Sequence, residues 1–236
     1  MTTSALYSYP SHKTTKALFI AVEGNIGAGK STLCTTLHDL RSKVGPCTLM
    51  PEPVDKPSFR QLLGLFYKDP KRWAFAFQMH ALKERFNQHT LAAELVNSHT
   101  SVVQDRSIYA DGCFGITAHE LGNMLAEEWD IYAEMFGALK RFLRYPDVVV
   151  YLRVVPEVCK ERMDRRKRPE EEGVPLDYLK RLHDQHEKFI EEMSRYTRVL
   201  IIDTSPAGDN QVSQVNNAID EIANEDRRFM KDFRKL

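Results

Sequence analysis

The chain has 236 residues, its 33 lysines and arginines balance 33 aspartates and glutamates, and 42% of it is hydrophobic. That length suits one α/β domain or two small ones with a real core, and zero net charge lacks the basic footprint that a nucleic-acid polymer demands. No apolar run approaches the roughly 18 residues of a membrane span, so neither a polymer nor a membrane is an expected partner.

Residues 1–16, MTTSALYSYPSHKTTK, lack acidic residues and are rich in Ser and Thr, but they also lack arginine and a long apolar region. A flexible tail and a cytoplasmic location are expected in preference to an organelle transit peptide. ALFIAVE (17–23) is a nearly continuous apolar run, as a buried parallel strand should be. A helix is expected from Lys30, stopping before Gly45-Pro46. CTLM (47–50) reads as a short strand. Residues 70–97 start with Pro70 at a first-turn position and run on without another proline or any glycine, which predicts a long helix.

SVVQD (101–105), DVVVYLRV (147–154) and RVLIID (198–203) complete five short apolar runs. Between the first two of these, Leu121, Leu125, Trp129, Tyr132, Phe136, Leu139 and Leu143 recur at three- to four-residue steps, a core or partner-facing helical stripe. A further helix is expected over 175–196. In it, His183 and His186 lack additional ligands and read as a solvated face rather than a metal site. The alternation of strands and helices predicts a parallel sheet with helices on both faces, in one domain over 17–236. Cys34, Cys47, Cys113 and Cys159 are widely scattered, without C-x-x-C spacing. They read as reduced, mostly buried thiols of a reducing compartment.

The loop EGNIGAGKST (23–32) fits G-x-x-x-x-G-K-[ST] through Gly24, Gly29, Lys30 and Ser31, between a strand and a helix. Glycines let backbone N–H groups close around phosphate oxygens at a helix N-terminus. The expected donor site is therefore Asn25, Ile26, Gly27, Ala28, Gly29, Lys30, Ser31 and Thr32. Lys30 would reach the β- and γ-phosphates, and the Ser31 hydroxyl would ligate Mg²⁺ with Asp105, which ends a strand beside the loop. The cationic run CKERMDRRKRPEEEG (159–173) reads alone as a solvated helix end. Beside a phosphate loop it reads as a lid, because phosphoryl transfer spreads negative charge that arginines on a movable segment can compensate.

No Asn-Lys-x-Asp motif follows a strand, so a seated alcohol or phosphate is a better acceptor than water. Glu52, directly after the second strand and between two prolines, could take a proton from an attacking hydroxyl, although Asp55 would serve equally as a helix N-terminal charge. Gln78 and Arg85, seven residues apart, lie on one helix face. Gln78 stands in an aromatic stretch with Trp73, Phe75 and Phe77, where it could read a nucleobase edge or simply bond the backbone.

These residues carry a resemblance. EGNIGAGKST, PEPV, YKDPKRWAFAFQ, DRSIYAD, EWDIY and RKRPEEEGVPLDYLKRLHDQHE, in this order, resemble the deoxyribonucleoside kinases of the deoxycytidine kinase and deoxyguanosine kinase type over almost the whole chain after residue 16. The resemblance implies a P-loop kinase fold with a five-stranded parallel sheet and an arginine-rich lid. It implies ATP- and Mg²⁺-dependent phosphorylation of a deoxynucleoside 5′-hydroxyl in nucleotide salvage, and a homodimer through long helices. Glu52 would be the general base, with Arg106 supporting it and the phosphates. Tyr67 and Glu171 would hold the 3′-hydroxyl and Gln78 the base edge, beside Phe77. Arg166 and Arg168 would clamp the phosphoryl group, and Arg162 would lie near the donor adenine. Arg85 and Asp111 match a pair that contacts the base and that thymidine-specialised members tend to lack, so deoxyadenosine, deoxyguanosine or deoxycytidine is expected ahead of thymidine.

Three departures stand out. Asp105-Arg106-Ser107 replaces the usual Glu-Arg-Ser. Pro57 stands where a tryptophan often lines the pocket. Gly115 falls where a stacking phenylalanine is common, with Phe114 one place early. The last two suggest extra room over the base, suited to a purine. The competing reading is a thymidylate-type nucleoside monophosphate kinase, which would need further cations for an acceptor phosphate and usually continues Asp-Arg with an aromatic residue. A non-catalytic nucleotide-binding regulator is a third reading, and Glu52 with an intact lid argues against it.

Overall fold

A computed structural model of the protein describes residues 16–171, 173–203 and 214–222. The expected tail therefore lies outside the described residues except for Lys16. The elements are β1 (Phe19–Gly24), α1 (Lys30–Ser42), β2 (Cys47–Met50), α2 (Pro57–Lys68), α3 (Pro70–Asn97) and β3 (Ser101–Asp105). They continue with α4 (Asp111–Glu120), α5 (Ala126–Lys140), β4 (Val148–Arg153), α6 (Pro156–Arg166), α7 (Leu176–Met193) and β5 (Arg198–Asp203). Residues 214–222 form another helical segment.

The five strands make one parallel sheet in the order β2-β3-β1-β4-β5. Alternating side chains sort the two faces. Leu18, Ile20 and Val22 meet Leu33 and Leu37 of α1 and Leu179 and Leu182 of α7. Phe19 packs with Ala92 and Val96 of α3, and Ala21 with Leu82 of α3 and Tyr132 of α5. Helices thus cover both faces, as the unbroken apolar strands require. Because β3 and β4 flank β1 on opposite sides, the chain reverses direction around the carboxyl end of β1, where open parallel sheets hold their ligands.

The stripe expected through 121–143 is two elements. Gly122 takes a left-handed φ of 68°, which turns the chain between α4 and α5. Leu121 only follows α4, and Leu125 precedes α5, 67% exposed. The Glu128 side chain accepts the Leu125 N–H at 3.0 Å and so caps α5. At the start of α3, Asp69 accepts the Arg72 N–H ahead of Pro70.

Candidate active site

The loop after β1 is shaped by one close approach and one left-handed glycine. A Cβ on Gly27 would stand 2.5 Å from the Cys159 carbonyl oxygen of α6, and Gly29 precedes α1 with φ 100°. Glycine alone tolerates both, and the N-terminus of α1 is left facing the cavity. Lys30 Nζ folds back to donate to the Asn25 carbonyl at 3.0 Å. Burial first, and the neighbouring Arg106 next, lower its ammonium below the usual range.

Ser31 Oγ donates to Asp105 Oδ2 at 2.6 Å, while Asp105 Oδ1 is buried without a partner. Burial raises the Asp105 carboxyl, against the pull of Lys30. An orphaned carboxylate oxygen beside a hydroxyl suits a hard cation such as Mg²⁺, so these residues fit the ion. Among the described residues no group of three or more His, Cys, Asp or Glu forms a metal site. The remaining ligands would therefore be phosphate oxygens and water.

One cavity of about 250 Å³ runs from Lys30 and Ser31, past Glu52 and Arg106, to Phe77 and Gln78. Asn25 and Ala28, expected in the donor set, do not line it. The Asn25 side chain is buried and shapes the loop instead, donating to the Leu179 carbonyl and accepting the Ile26 N–H, both at 2.8 Å. Arg162 also points at the loop, donating to the Ala28 carbonyl at 2.9 Å. Phe59, Phe66 and Phe77 form an aromatic wall, with Phe66 stacked on Phe77 at 5.3 Å.

The acceptor end is a chain of buried charges. Glu52 Oε1 accepts from Arg106 Nε at 3.1 Å and from Arg85 Nη2 at 3.0 Å. Arg85 Nη1 also pairs with Asp111 Oδ1. Asp111 Oδ2 accepts from Gln78 Nε2 at 2.8 Å and from the Tyr132 hydroxyl at 2.7 Å. Burial alone would raise the Glu52 carboxyl, but Arg106, Lys30 and Arg85 outweigh it and bring it to about 2. Arg106 has a left-handed φ of 69°, a strained backbone for a residue with a Cβ. Over the cavity mouth, Arg166 Nη2 forks to both Glu171 oxygens at 2.8 and 2.6 Å, and Arg168 lies 3.5 Å from Glu171. Tyr67 lines the cavity beside them.

Four expectations need correction. Asp111 is fully buried and outside the lining, because Arg85, Gln78 and Tyr132 enclose it. Gly115 leaves no vacancy: a Cβ there would stand 2.2 Å from the Tyr132 ring, which already fills the space. Pro57 is exposed at the start of α2 and makes no room over the base. Phe114 lines the cavity in their place, with the Arg85 and Arg106 guanidinium groups over its ring at 5.2 and 4.6 Å.

His186 is the fourth. It is no solvated residue but fully buried against Arg106. The signal was present in the sequence. Leu179, Leu182, His186, Ile190 and Met193 recur at helical steps, and that spacing places His186 on the buried face of α7. Nothing local to Tyr132 announced its bond to Asp111, which depends on how α5 packs against α3 and α4.

The deoxynucleoside kinase family model matches residues 20–231. The chain belongs to the deoxynucleoside kinase family. A probable deoxycytidine kinase of fowlpox virus (strain NVSL) is 35% identical over 213 residues, covering 86% of this chain and 88% of the viral one. The deoxyadenosine kinase of Dictyostelium discoideum is 34% identical over 207 residues, covering 87% and 80%. Among solved structures, a deoxyadenosine kinase from M. mycoides, with the products dCMP and a flexible dCDP bound, has a TM-score of 0.72 at 27% identity, over 86% of this chain and 98% of that one. As a deoxynucleoside kinase, the chain is an ATP-dependent phosphotransferase that acts on an alcohol group of a deoxynucleoside. Among its described residues no helix is long and apolar enough to cross a membrane.

Proposed function

We propose that this deoxynucleoside kinase phosphorylates the 5′-hydroxyl of deoxyadenosine, deoxyguanosine or deoxycytidine in preference to thymidine, within a kinase domain spanning 17–236. The observation that carries this reading is the Arg85–Asp111 ion pair at the base end of the cavity, braced by Gln78 and Tyr132. Arg85 is donor-only, and Asp111 keeps it charged and aimed. Cytosine and the purines offer Arg85 an unprotonated ring nitrogen. Thymine turns an N3–H toward a donor and presses its 5-methyl group toward the same side chains. Buried polar groups left unpaired make such sites selective.

In this reading the donor phosphates lie against the N–H groups of the loop from Asn25 to Thr32 and the Lys30 ammonium, with Arg162 beside the adenine. Ser31 and Asp105 would hold Mg²⁺, which supplies charge neutralisation to the phosphates when bound. The deoxynucleoside lies along Phe77 and Gln78, its 3′-hydroxyl on Tyr67 and Glu171, its 5′-oxygen at Glu52. Glu52 takes the proton from that oxygen, and Arg106 keeps Glu52 oriented. Arg166 and Arg168 leave Glu171 to meet the transferring phosphoryl group. The free site holds Glu52 at about 2 through three cations. Phosphates arriving at Lys30 and Arg106 weaken that pull, so the carboxylate becomes more basic as the donor seats.

A homodimer through the long helices completes the reading. Leu91 of α3 and Ile131 and Met135 of α5 are large apolar side chains about half exposed, and α3 packs against α5. The test of selectivity is the double substitution Arg85→Met with Asp111→Ala. The wild-type gap against thymidine is expected to be at least about tenfold in kcat/KM, and the variant should narrow it. An unchanged ranking would overturn the assignment.

A further inference from the structure

The guanidinium of Arg106 is held on every edge. Its Nε donates to Glu52 at 3.1 Å, its Nη2 to the Gly24 carbonyl at 3.0 Å, and its Nη1 lies 3.0 Å from Nε2 of His186. Phe114 supports its face. The first two contacts belong to the reacting end and to the phosphate loop. The third comes from α7, from a residue that does not line the cavity, and the mechanism above does not use it.

Donor and acceptor chemistry fixes the state of that histidine. A guanidinium has only N–H donors, so Nε2 must accept, and its lone pair is then unprotonated. The other nitrogen, Nδ1, sits 2.7 Å from the Leu182 carbonyl, which can only accept. His186 is therefore the neutral Nδ1–H tautomer, fixed by two bonds of opposite direction. The ring has no freedom to turn away: Tyr151 stacks on it at 6.4 Å with planes 10° apart, and the Phe114 ring meets it edge-on at 5.9 Å. Burial first, then the neighbouring Arg106 and Lys30 cations, oppose a second proton on the ring and hold it well below the usual histidine range, against the pull of the Leu182 carbonyl.

A solvated guanidinium would swing between partners. This one carries a left-handed backbone, a fixed carboxylate and a rigid imidazole acceptor at 3.0 Å. We infer that His186 is a positioning residue for phosphoryl transfer: its neutral Nε2 aims Arg106, and through Arg106 the Glu52 carboxylate, at the acceptor hydroxyl. The inference rests on the reading of Glu52 and Arg106 as the reacting pair. It adds that the aim is set from α7, outside the cavity, by a side chain that touches neither substrate.

The test compares His186→Leu, which removes the acceptor, with His186→Gln, whose amide oxygen can replace it. In His186→Leu, kcat is expected to fall at least about tenfold, as losing a buried charge-assisted bond implies, while KM for ATP and for the deoxynucleoside stays within about threefold. His186→Gln should regain most of that kcat. A merely structural role would move both variants through stability and would not separate kcat from KM. A folded His186→Leu with wild-type kcat, or His186→Gln no better than His186→Leu, would overturn the inference.

Glu52→Gln keeps the two levels apart. If Glu52→Gln keeps its kcat, the reading of the reacting pair fails and the inference fails with it. If Glu52→Gln loses kcat while folded His186→Leu does not, only the role of His186 fails. Should His186→Leu not fold, nitrogen NMR of histidine-labelled wild type at neutral pH decides. A neutral ring protonated at Nδ1 supports the inference, and a charged or Nε2–H ring overturns it.

Discussion

In the donor half of the cavity, consecutive residues between β1 and α1 supply the loop, and glycine geometry with one lysine does most of the shaping. In the acceptor half, Glu52 follows β2, Gln78 and Arg85 stand on α3, Arg106 follows β3, Asp111 opens α4, and Tyr132 and His186 reach in from α5 and α7. The donor half is one continuous stretch of backbone, braced from outside by the Cys159 carbonyl of α6 and the Leu179 carbonyl of α7. The acceptor half exists only as long as six elements keep their packing, and each charge in it is neutralised by another from elsewhere in the chain. Changes in α3, α4 and α5 should therefore reach acceptor kinetics while leaving ATP binding alone.

The largest expected effect tests whether the two halves separate. Glu52→Gln should lose about 10²- to 10⁴-fold in kcat, the usual contribution of a general base, while the ATP dissociation constant measured by calorimetry stays near the wild-type value. Near-normal turnover would remove Glu52 from its proposed role, and lost ATP binding would show that the halves are not independent.

Gly115→Ala should come next. Its Cβ would meet the buried Tyr132 ring at 2.2 Å, and overpacking of that kind costs about 3 kcal/mol at the upper end. The displaced ring would loosen Asp111, so KM for the deoxynucleoside should rise and KM for ATP should not. A variant as stable as wild type, with unchanged acceptor kinetics, would show that the Tyr132 contact does not govern the base end.

A smaller effect comes from His89, a second fully buried histidine that touches neither half. Burial lowers it from 6.5 to about 4, although the Arg144 carbonyl, which accepts its Nε2–H at 2.9 Å, pulls the other way. The unfolded chain therefore binds the extra proton. The contribution is intact above about pH 6.5 and is lost as the pH falls toward 4, by about 2 kcal/mol at pH 5. His89→Gln should flatten that part of the stability profile without changing kcat at neutral pH. A wild-type profile equally steep in the variant would contradict it. Together with His186, this gives two buried histidines of which only the one bonded to Arg106 should affect turnover.

The same contrast explains what the sequence made legible. All five strands and the long α3 could be read because apolar runs, Pro70 and glycine breaks are local signals. The phosphate loop is legible for the same reason, and Glu52 stands out between two prolines directly after a strand. The continuous stripe through 121–143 misled because its spacing spans a turn at Gly122 without a break in period. Gly115 misled in another way: a glycine announces a missing Cβ and not which neighbour fills the space. His186 could have been read from the spacing of α7, but the H-x-x-H pattern drew attention to metal chemistry instead. Asp111 and Tyr132 could not be paired in advance, since their meeting depends on the packing of α3, α4 and α5.

The central claim, that the buried acceptor network selects the base, is tested most directly by competition in one vessel. Equimolar deoxyadenosine, deoxyguanosine, deoxycytidine and thymidine are incubated with the wild-type protein, Mg²⁺ and limiting ATP, and the monophosphates formed are separated and counted. The account predicts that thymidine monophosphate is the least abundant product, at least about tenfold below the leading one. Thymidine monophosphate as the dominant product would contradict it.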